Sequence, residues 1–286
     1  MSRVFEALQE AQRRRGSRAA QNPWELPLVP EAQIGEDPPL RTTDTRSVAG
    51  ATEAGLIAID TKPENRVVAL SSCDSLGSDK FRFLASQLRI AQKTRALHRI
   101  VITSSVSGEG KSLVCANLGI ALAKDAGQRT LLIDADHRRG TLTELFNSQS
   151  CPGLRDWSRK TESLRPFVRR DPVLPLWFLP TGIDGDHLNV KPEVLSEALA
   201  GVTDGFDVVL IDSPPLVLAD ATIWMTVADT CLLIARQGKT PKKMLTNALS
   251  TVPADKVLGI VLNECRDSTQ KYYHEYYRRG TSAQSD

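Results

Sequence analysis

The stretch Ser105-Val106-Ser107-Gly108-Glu109-Gly110-Lys111-Ser112 follows a β-branched run and precedes a long helical pattern. Glycines at 108 and 110 let backbone N–H groups turn inward around phosphate oxygens, an approach that a Cβ would block. Lys111 would reach the β- and γ-phosphates of a nucleotide, and the Ser112 hydroxyl would bind Mg²⁺. The strict GxxxxGK[ST] pattern fails at its first glycine, which is Ser105 here. Two acidic strand ends complete the constellation. "TLLIDADHRRG" puts Asp134 and Asp136 two apart at the end of an apolar run, on the same side of the chain, and "DVVLIDSPP" ends another run with Asp212. Each aspartate alone would serve as a helix cap or turn residue. Together with a phosphate loop they supply a Mg²⁺ ligand and a candidate base, which is what phosphoryl transfer requires. A further feature lies far away: the chain has four tyrosines, and all of them stand in "QKYYHEYYRRG" as Tyr272, Tyr273, Tyr276 and Tyr277.

These groups need elements to position them. From about residue 66 onward, β-branched runs ("RVVAL", "RIVITSS", "TLLID", "LWFLP", "DVVLID", "CLLIAR", "VLGIVLN") are mostly separated by helical segments ("DKFRFLASQLRIAQ", "KSLVCANLGIALAKDAG", "TLTELF", "KPEVLSEALAG", "KKMLTNALSTV"). Continuous apolar strands alternating with helices predict an α/β fold with a doubly wound, mostly parallel sheet covered on both faces. In such sheets ligands bind beyond the carboxyl ends of the strands, so the loop and the aspartates should meet at one edge. Residues 1–15 suit an amphipathic helix, with Val4, Phe5, Leu8 and Ala11 on one stripe. Residues 16–65 hold prolines and polar residues with no hydrophobic period and predict a flexible linker. The phosphate-loop domain then runs over 66–266, and 267–286 form a flexible tail carrying the tyrosine cluster.

Bulk properties narrow the classes. The chain has 286 residues, 41% of them hydrophobic, and 36 basic against 34 acidic side chains for a net charge of +2. That balance gives no general electrostatic argument for nucleic acid or for an acidic membrane surface. The five cysteines are scattered without a CxxC pair, so a reducing compartment is expected rather than a disulfide framework or zinc cage. No apolar run approaches the ~18 residues of a membrane helix, and "MSRVFEAL" carries no secretory pattern. A soluble, cytoplasmic chain is predicted, with any membrane association indirect.

Residues 66–277 resemble the bacterial tyrosine kinases of capsule and exopolysaccharide loci. The resemblance rests on "SGEGKS" as Walker A, "LLIDADHRR" as Walker A prime, "VVLIDSPP" as Walker B, and the C-terminal tyrosine cluster. The three nucleotide motifs are shared with deviant-Walker P-loop NTPases that partition plasmids or place the septum. Those usually carry a signature lysine five residues before the Walker A lysine, where this chain has Val106, and they lack the tyrosine tail. The resemblance implies that Ser107, Gly108, Glu109, Gly110, Lys111, Ser112 and Leu113 bind ATP, with Asn263 contacting the base. Lys111, Asp134 and Asp136 would be catalytic, and Ser112, Asp134 and Asp212 would hold Mg²⁺. By analogy Asp134 stands nearest the reacting hydroxyl, while Arg138 would meet phosphate or a partner subunit. The four tail tyrosines would be phosphorylated in trans within a homo-oligomer. The implied partners are a membrane polysaccharide co-polymerase that activates the kinase at the inner face of the plasma membrane, and a tyrosine phosphatase.

The match departs from the family in places. The family's ExxRxxR pattern, used between subunits, reads Asp79, Arg82 and Ala85 here, with Arg89 one turn further as a substitute interface residue. The amphipathic start is open to two readings: docking on the membrane partner, or packing on its own domain. Two alternative functions also stand at this level, a positioning or partitioning ATPase and a nucleotide-bound adaptor phosphorylated by another kinase.

Overall fold

The computed structural model describes residues 55–56, 66–71, 75–158, 163–183 and 190–265. The N-terminal helix expected over 1–15, most of the linker and the tyrosine tail lie outside the described residues.

Eight strands form one sheet: β1 (Gly55–Leu56), β2 (Arg99–Ser104), β3 (Thr130–Asp134), β4 (Arg169–Arg170), β5 (Leu176–Leu179), β6 (Val208–Asp212), β7 (Thr230–Arg236) and β8 (Val257–Asn263). Their spatial order is β1-β4-β5-β3-β6-β2-β7-β8. Every pairing is parallel except β4 with β5. The expected doubly wound, mostly parallel architecture is therefore present.

Alternation of side chains along the strands explains the layers. Val101, Leu131, Ile133, Val209, Ile211 and Leu233 face one core, built against the helices Pro192–Thr203, Asp220–Val227 and Lys242–Thr251. Ile100, Ile102, Leu132, Leu210, Leu232 and Ile234 face the other, against Leu76–Thr94, Lys111–Lys124 and Thr141–Leu145. Trp157 and Trp224 are fully buried in the first core. Truncating either to alanine should cost about 3–5 kcal/mol. Among the described residues no helix is long and apolar enough to cross a membrane.

Three local readings differ from the sequence expectation. "RVVAL" was expected as a strand, but Val68–Ser71 form a short helix lying on the phosphate-loop helix. There Asn117 accepts from the Ala69 N–H at 3.0 Å and donates to the Arg66 carbonyl at 3.3 Å. β-branched composition did not decide the matter, because the segment is held by that helix rather than by a neighbouring strand. Gly55–Leu56, inside the stretch read as linker, pair with Arg169–Arg170 at the sheet edge. The helix Asp220–Val227 was not anticipated. It is short and apolar on several sides, so it shows no periodic stripe in the sequence.

The chain leaves central β2 for helix Lys111–Lys124 and returns as β3 on the far side of β6, whereas β7 lies on β2's other flank. This divergence opens a crevice at the carboxyl edge of β2, β6 and β3. All the nucleotide motifs point there.

Candidate active site

The phosphate loop hangs between the end of β2 and the first turn of the helix Lys111–Lys124. Gly108 and Gly110 take φ of 82° and 91°, values that disfavour any side chain. A Cβ on Gly110 would also run into the amide nitrogen of Asn263, so two independent constraints select glycine there. Ser105, which replaces the first motif glycine, is fully buried and donates to Glu109 Oε2 at 3.3 Å.

Glu109 was expected as an ATP-binding residue of the loop; its side chain turns inward and organises the loop itself. The carboxylate is buried and accepts from the Val106 N–H at 3.1 Å, and its other oxygen takes the Thr240 hydroxyl. Asn263 Nδ2 donates to the Glu109 carbonyl at 2.9 Å, and Arg236 donates to the Gly108 carbonyl at 3.3 Å. The loop is thus tied to the ends of β7 and β8. Ser107 is exposed, Leu113 half-buried and Ser112 buried at the head of the helix.

The carboxylates converge as the strand register demands. Asp134 and Asp212 are direct partners across β3 and β6. Lys111 Nζ bonds Asp136 at 2.7 Å, lies 3.8 Å from Asp212 Oδ1, and reaches Ser112 Oγ at 3.4 Å. Burial alone would lower the Lys111 pKa, but the charges of Asp212, Asp136 and Asp134 outweigh it and raise it. The lysine stays an ammonium ion.

Asp134 sits differently. Its Oδ2 accepts from both the backbone N–H and the hydroxyl of Thr143, each at 2.7 Å, and Thr143 in turn accepts from the Thr181 N–H at 3.0 Å. Burial, with the neighbouring Asp212 charge, pushes the Asp134 carboxyl up to about 7 against the pull of Thr143. Burial likewise raises Asp212 to about 6, against the attraction of Lys111. Thr143 and Thr181 were absent from the sequence reading. The only signal for Thr143 was its place in the short helical segment after "DADHRRG", which says nothing of where its hydroxyl points.

The Asp212 carboxylate is buried beside the Ser112 hydroxyl and 3.8 Å from Lys111 Nζ, both of which pull its carboxyl down, but neither of its oxygens has a partner at full hydrogen-bond distance among the described residues. A buried carboxylate whose ammonium neighbour is held more closely by Asp136 is a candidate cation ligand. No group of three or more His, Cys, Asp or Glu among the described residues could hold a metal unaided. Mg²⁺ ordinarily takes one or two carboxylates plus phosphate oxygens and water, so Asp212 and Ser112 fit it.

Other expected residues lie elsewhere. Arg138 Nε donates to Asp220 at 2.7 Å, at the start of the helix Asp220–Val227. Arg82 pairs with Asp79 at 3.4 Å, and Arg89 is exposed on the same helix. Ala85 is buried in the core, so that position presents nothing to a partner. Asn263 meets the phosphate loop, as described above. Tyr272, Tyr273, Tyr276 and Tyr277 lie outside the described residues.

Comparison with known proteins agrees with this geometry. Residues 100–281 match the CobQ/CobB/MinD/ParA nucleotide binding domain. The tyrosine-protein kinase YwqD of Bacillus subtilis is 32% identical over 222 residues, covering 74% of this chain and 92% of its own. The succinoglycan biosynthesis transport protein ExoP of Rhizobium meliloti is 30% identical over 240 residues, covering 76% of this chain but only 30% of ExoP. Among solved structures, the BceF tyrosine kinase domain superposes with a TM-score of 0.60 at 26% identity, over 73% of this chain and 91% of that domain. With a nucleotide-binding domain matched over most of its length and relatives named as tyrosine-protein kinases at 30% identity and above, the chain belongs to the bacterial tyrosine-protein kinase family, built on a CobQ/CobB/MinD/ParA nucleotide-binding domain.

Proposed function

We propose that the protein is an ATP-dependent tyrosine autokinase that phosphorylates Tyr272, Tyr273, Tyr276 and Tyr277 of a neighbouring copy. The observation that carries this reading is the division of labour among the buried charges. Lys111 is bonded to Asp136, Asp212 lies 3.8 Å from the same ammonium beside Ser112, and Asp134 is held by the hydroxyl and backbone N–H of Thr143. A buried carboxylate oriented by two hydrogen bonds beside the phosphate loop is placed to take a phenolic proton.

In this reading the phosphate loop cradles the nucleotide, and Lys111 leaves Asp136 to meet the β- and γ-phosphates. Mg²⁺, held by Ser112 and Asp212, would offset charge on the phosphate oxygens. Asp134 orients the tyrosine hydroxyl and takes its proton as the new O–P bond forms and the bond to the β–γ bridging oxygen breaks, releasing ADP. Asn263 donates one Nδ2 hydrogen to Glu109 and retains the other for the adenine. β8 is parallel to β2, so the chain enters its tail at the same sheet edge as the phosphate loop.

The name of one relative, the succinoglycan biosynthesis transport protein ExoP, supports a role in exopolysaccharide biosynthesis and export. The partners that follow are further copies of the chain, a membrane co-polymerase that activates it at the inner face of the plasma membrane, and a phosphatase that resets it.

A mixing experiment tests the reading. A donor with all four tail tyrosines changed to phenylalanine is mixed with a Lys111→Met acceptor, labelled ATP and Mg²⁺. Phosphotyrosine on the acceptor tail is expected. An unlabelled acceptor, beside wild type that labels itself, would defeat the trans step, and unlabelled wild type that binds nucleotide would defeat the kinase.

A further inference from the structure

Past Asp134 the turn after β3 and the loop after β5 enclose a cleft of about 290 Å³. Its lining includes His137, Arg138, Arg139 and Arg155 against Glu144, and with Asp220 offsetting Arg138 from behind, the wall keeps an excess of basic groups. Thr143 is also in its wall, and the same hydroxyl donates to Asp134, so the cleft shares a side with the carboxylate site. Two of its arginines are anchored: Arg138 by Asp220, and Arg155 by the Gly182 carbonyl. Arg139 is exposed and has no ion-pair partner among the described residues.

Charge complementarity identifies the occupant. Between 270 and 280 the unmodified tail carries Lys271, Arg278 and Arg279 against Glu275, so a basic cleft repels it. One phosphate adds about −1.5 to −2 charge and three strong acceptors, which reverses the sign of the interaction. Arginine forks match a phosphate's geometry. The cleft is also at the small end of ligand sites, which run about 300–1,000 Å³, so it suits one aryl phosphate better than a nucleotide.

We propose that this cleft is a phosphotyrosine subsite. It captures a phosphate already placed on one tyrosine of a neighbouring copy's tail and holds that tail while a second tyrosine is presented to Lys111 and Asp134. The proposal rests on the autokinase reading and adds order to it: the first phosphate on a tail speeds the next. Closely spaced tyrosines, at 272–273 and 276–277, are what such a device would need.

Two measurements on the full chain decide it. In the first, quenched time points are resolved by mass spectrometry into tails with one, two or more phosphates. Wild type should show multiply phosphorylated tails in excess of a random distribution at low conversion. Arg139→Ala should keep the rate of first phosphorylation and slow the second about tenfold, the loss expected for a charge-assisted bond. In the second, a fluorescent peptide of residues 269–280 phosphorylated at Tyr276 is titrated onto protein whose phosphate loop is filled by Mg²⁺ and a non-hydrolysable ATP analogue. Binding should exceed that of the unmodified peptide and fall in Arg139→Ala. A random distribution in wild type, equal binding of the two peptides, or loss of binding once the loop is filled would overturn the subsite. Absence of any labelling would instead defeat the autokinase reading, and the peptide titration would then decide the cleft by itself.

Discussion

Asn263, the last residue of β8, donates its side-chain amide to the carbonyl of Glu109 in the phosphate loop at 2.9 Å, joining positions 154 residues apart. The same amide stands where a Cβ on Gly110 would fall. The loop's shape therefore depends on a strand that arrives long after it in the chain.

Gly110→Ala should abolish nucleotide binding, because alanine meets both a φ of 91° and the Asn263 amide. The left-handed strain alone costs about 1–2 kcal/mol. Gly110→Ala combined with Asn263→Ala should recover part of the binding, leaving a deficit of roughly tenfold from strain together with the loss of the Asn263 contacts to Glu109 and adenine. Titration with a fluorescent ATP analogue checks this, and a double variant no better than the single one would show that the Asn263 contact is immaterial.

Thr143→Val removes the hydroxyl bond to the buried Asp134 carboxylate and the acceptor for the Thr181 N–H, at a cost of about 1–3 kcal/mol. The backbone N–H bond can survive the substitution, so the lower end is expected. Since Thr143 pulls the Asp134 carboxyl down, its loss should move the basic requirement of the reaction to higher pH. Thr143→Ser should restore the wild-type profile. A pH–rate series on tail labelling reads the shift, and an unmoved profile would remove Asp134 from the role of base.

Burial raises the carboxyls of Asp134 to about 7 and Asp212 to about 6, so the ligand-free folded protein binds these protons more tightly than the unfolded chain does. The associated stability is complete below the ordinary carboxylate pKa and is lost as pH rises through about 4 to 7. Asp212→Asn should accordingly gain stability relative to wild type as pH rises across that window. Urea unfolding of both proteins without nucleotide or Mg²⁺ measures it. A stability difference independent of pH would refute the raised carboxyls.

Asp207 has the opposite sign. Its burial would raise the carboxyl, but hydrogen bonds from the Arg129 side chain and backbone hold it below the usual range. Its contribution is present above the ordinary carboxylate pKa and is lost as pH falls through the lowered folded value. Asp207→Asn should cost about 0.5–1 kcal/mol at pH 7, small because the pair is well exposed, and nothing once pH falls below both values. Thermal unfolding at pH 7 and pH 3 distinguishes this from a loss that is the same at both.

The sequence alone was enough for features carried by continuous chain. The phosphate loop is one strand, one turn and one helix, so "ITSSVSGEGKS" reveals its position and its purpose. Asp134 and Asp212 close apolar runs, and parallel pairing places strand ends together, so their meeting at one edge followed from period and topology. Tertiary structure decided the features that depend on residues far apart in the chain. It bonded Lys111 to Asp136, 25 positions away, and set Asp212 at 3.8 Å from the same ammonium. It turned Thr143 toward Asp134 and sent Thr240 and Asn263 to the phosphate loop. It also laid Val68–Ser71 down as helix where composition suggested strand. Backbone periodicity is a local property and is written in neighbouring residues. The direction of a hydroxyl, an amide or a carboxylate is set by whichever distant element packs beside it, and that is fixed only when the sheet has closed.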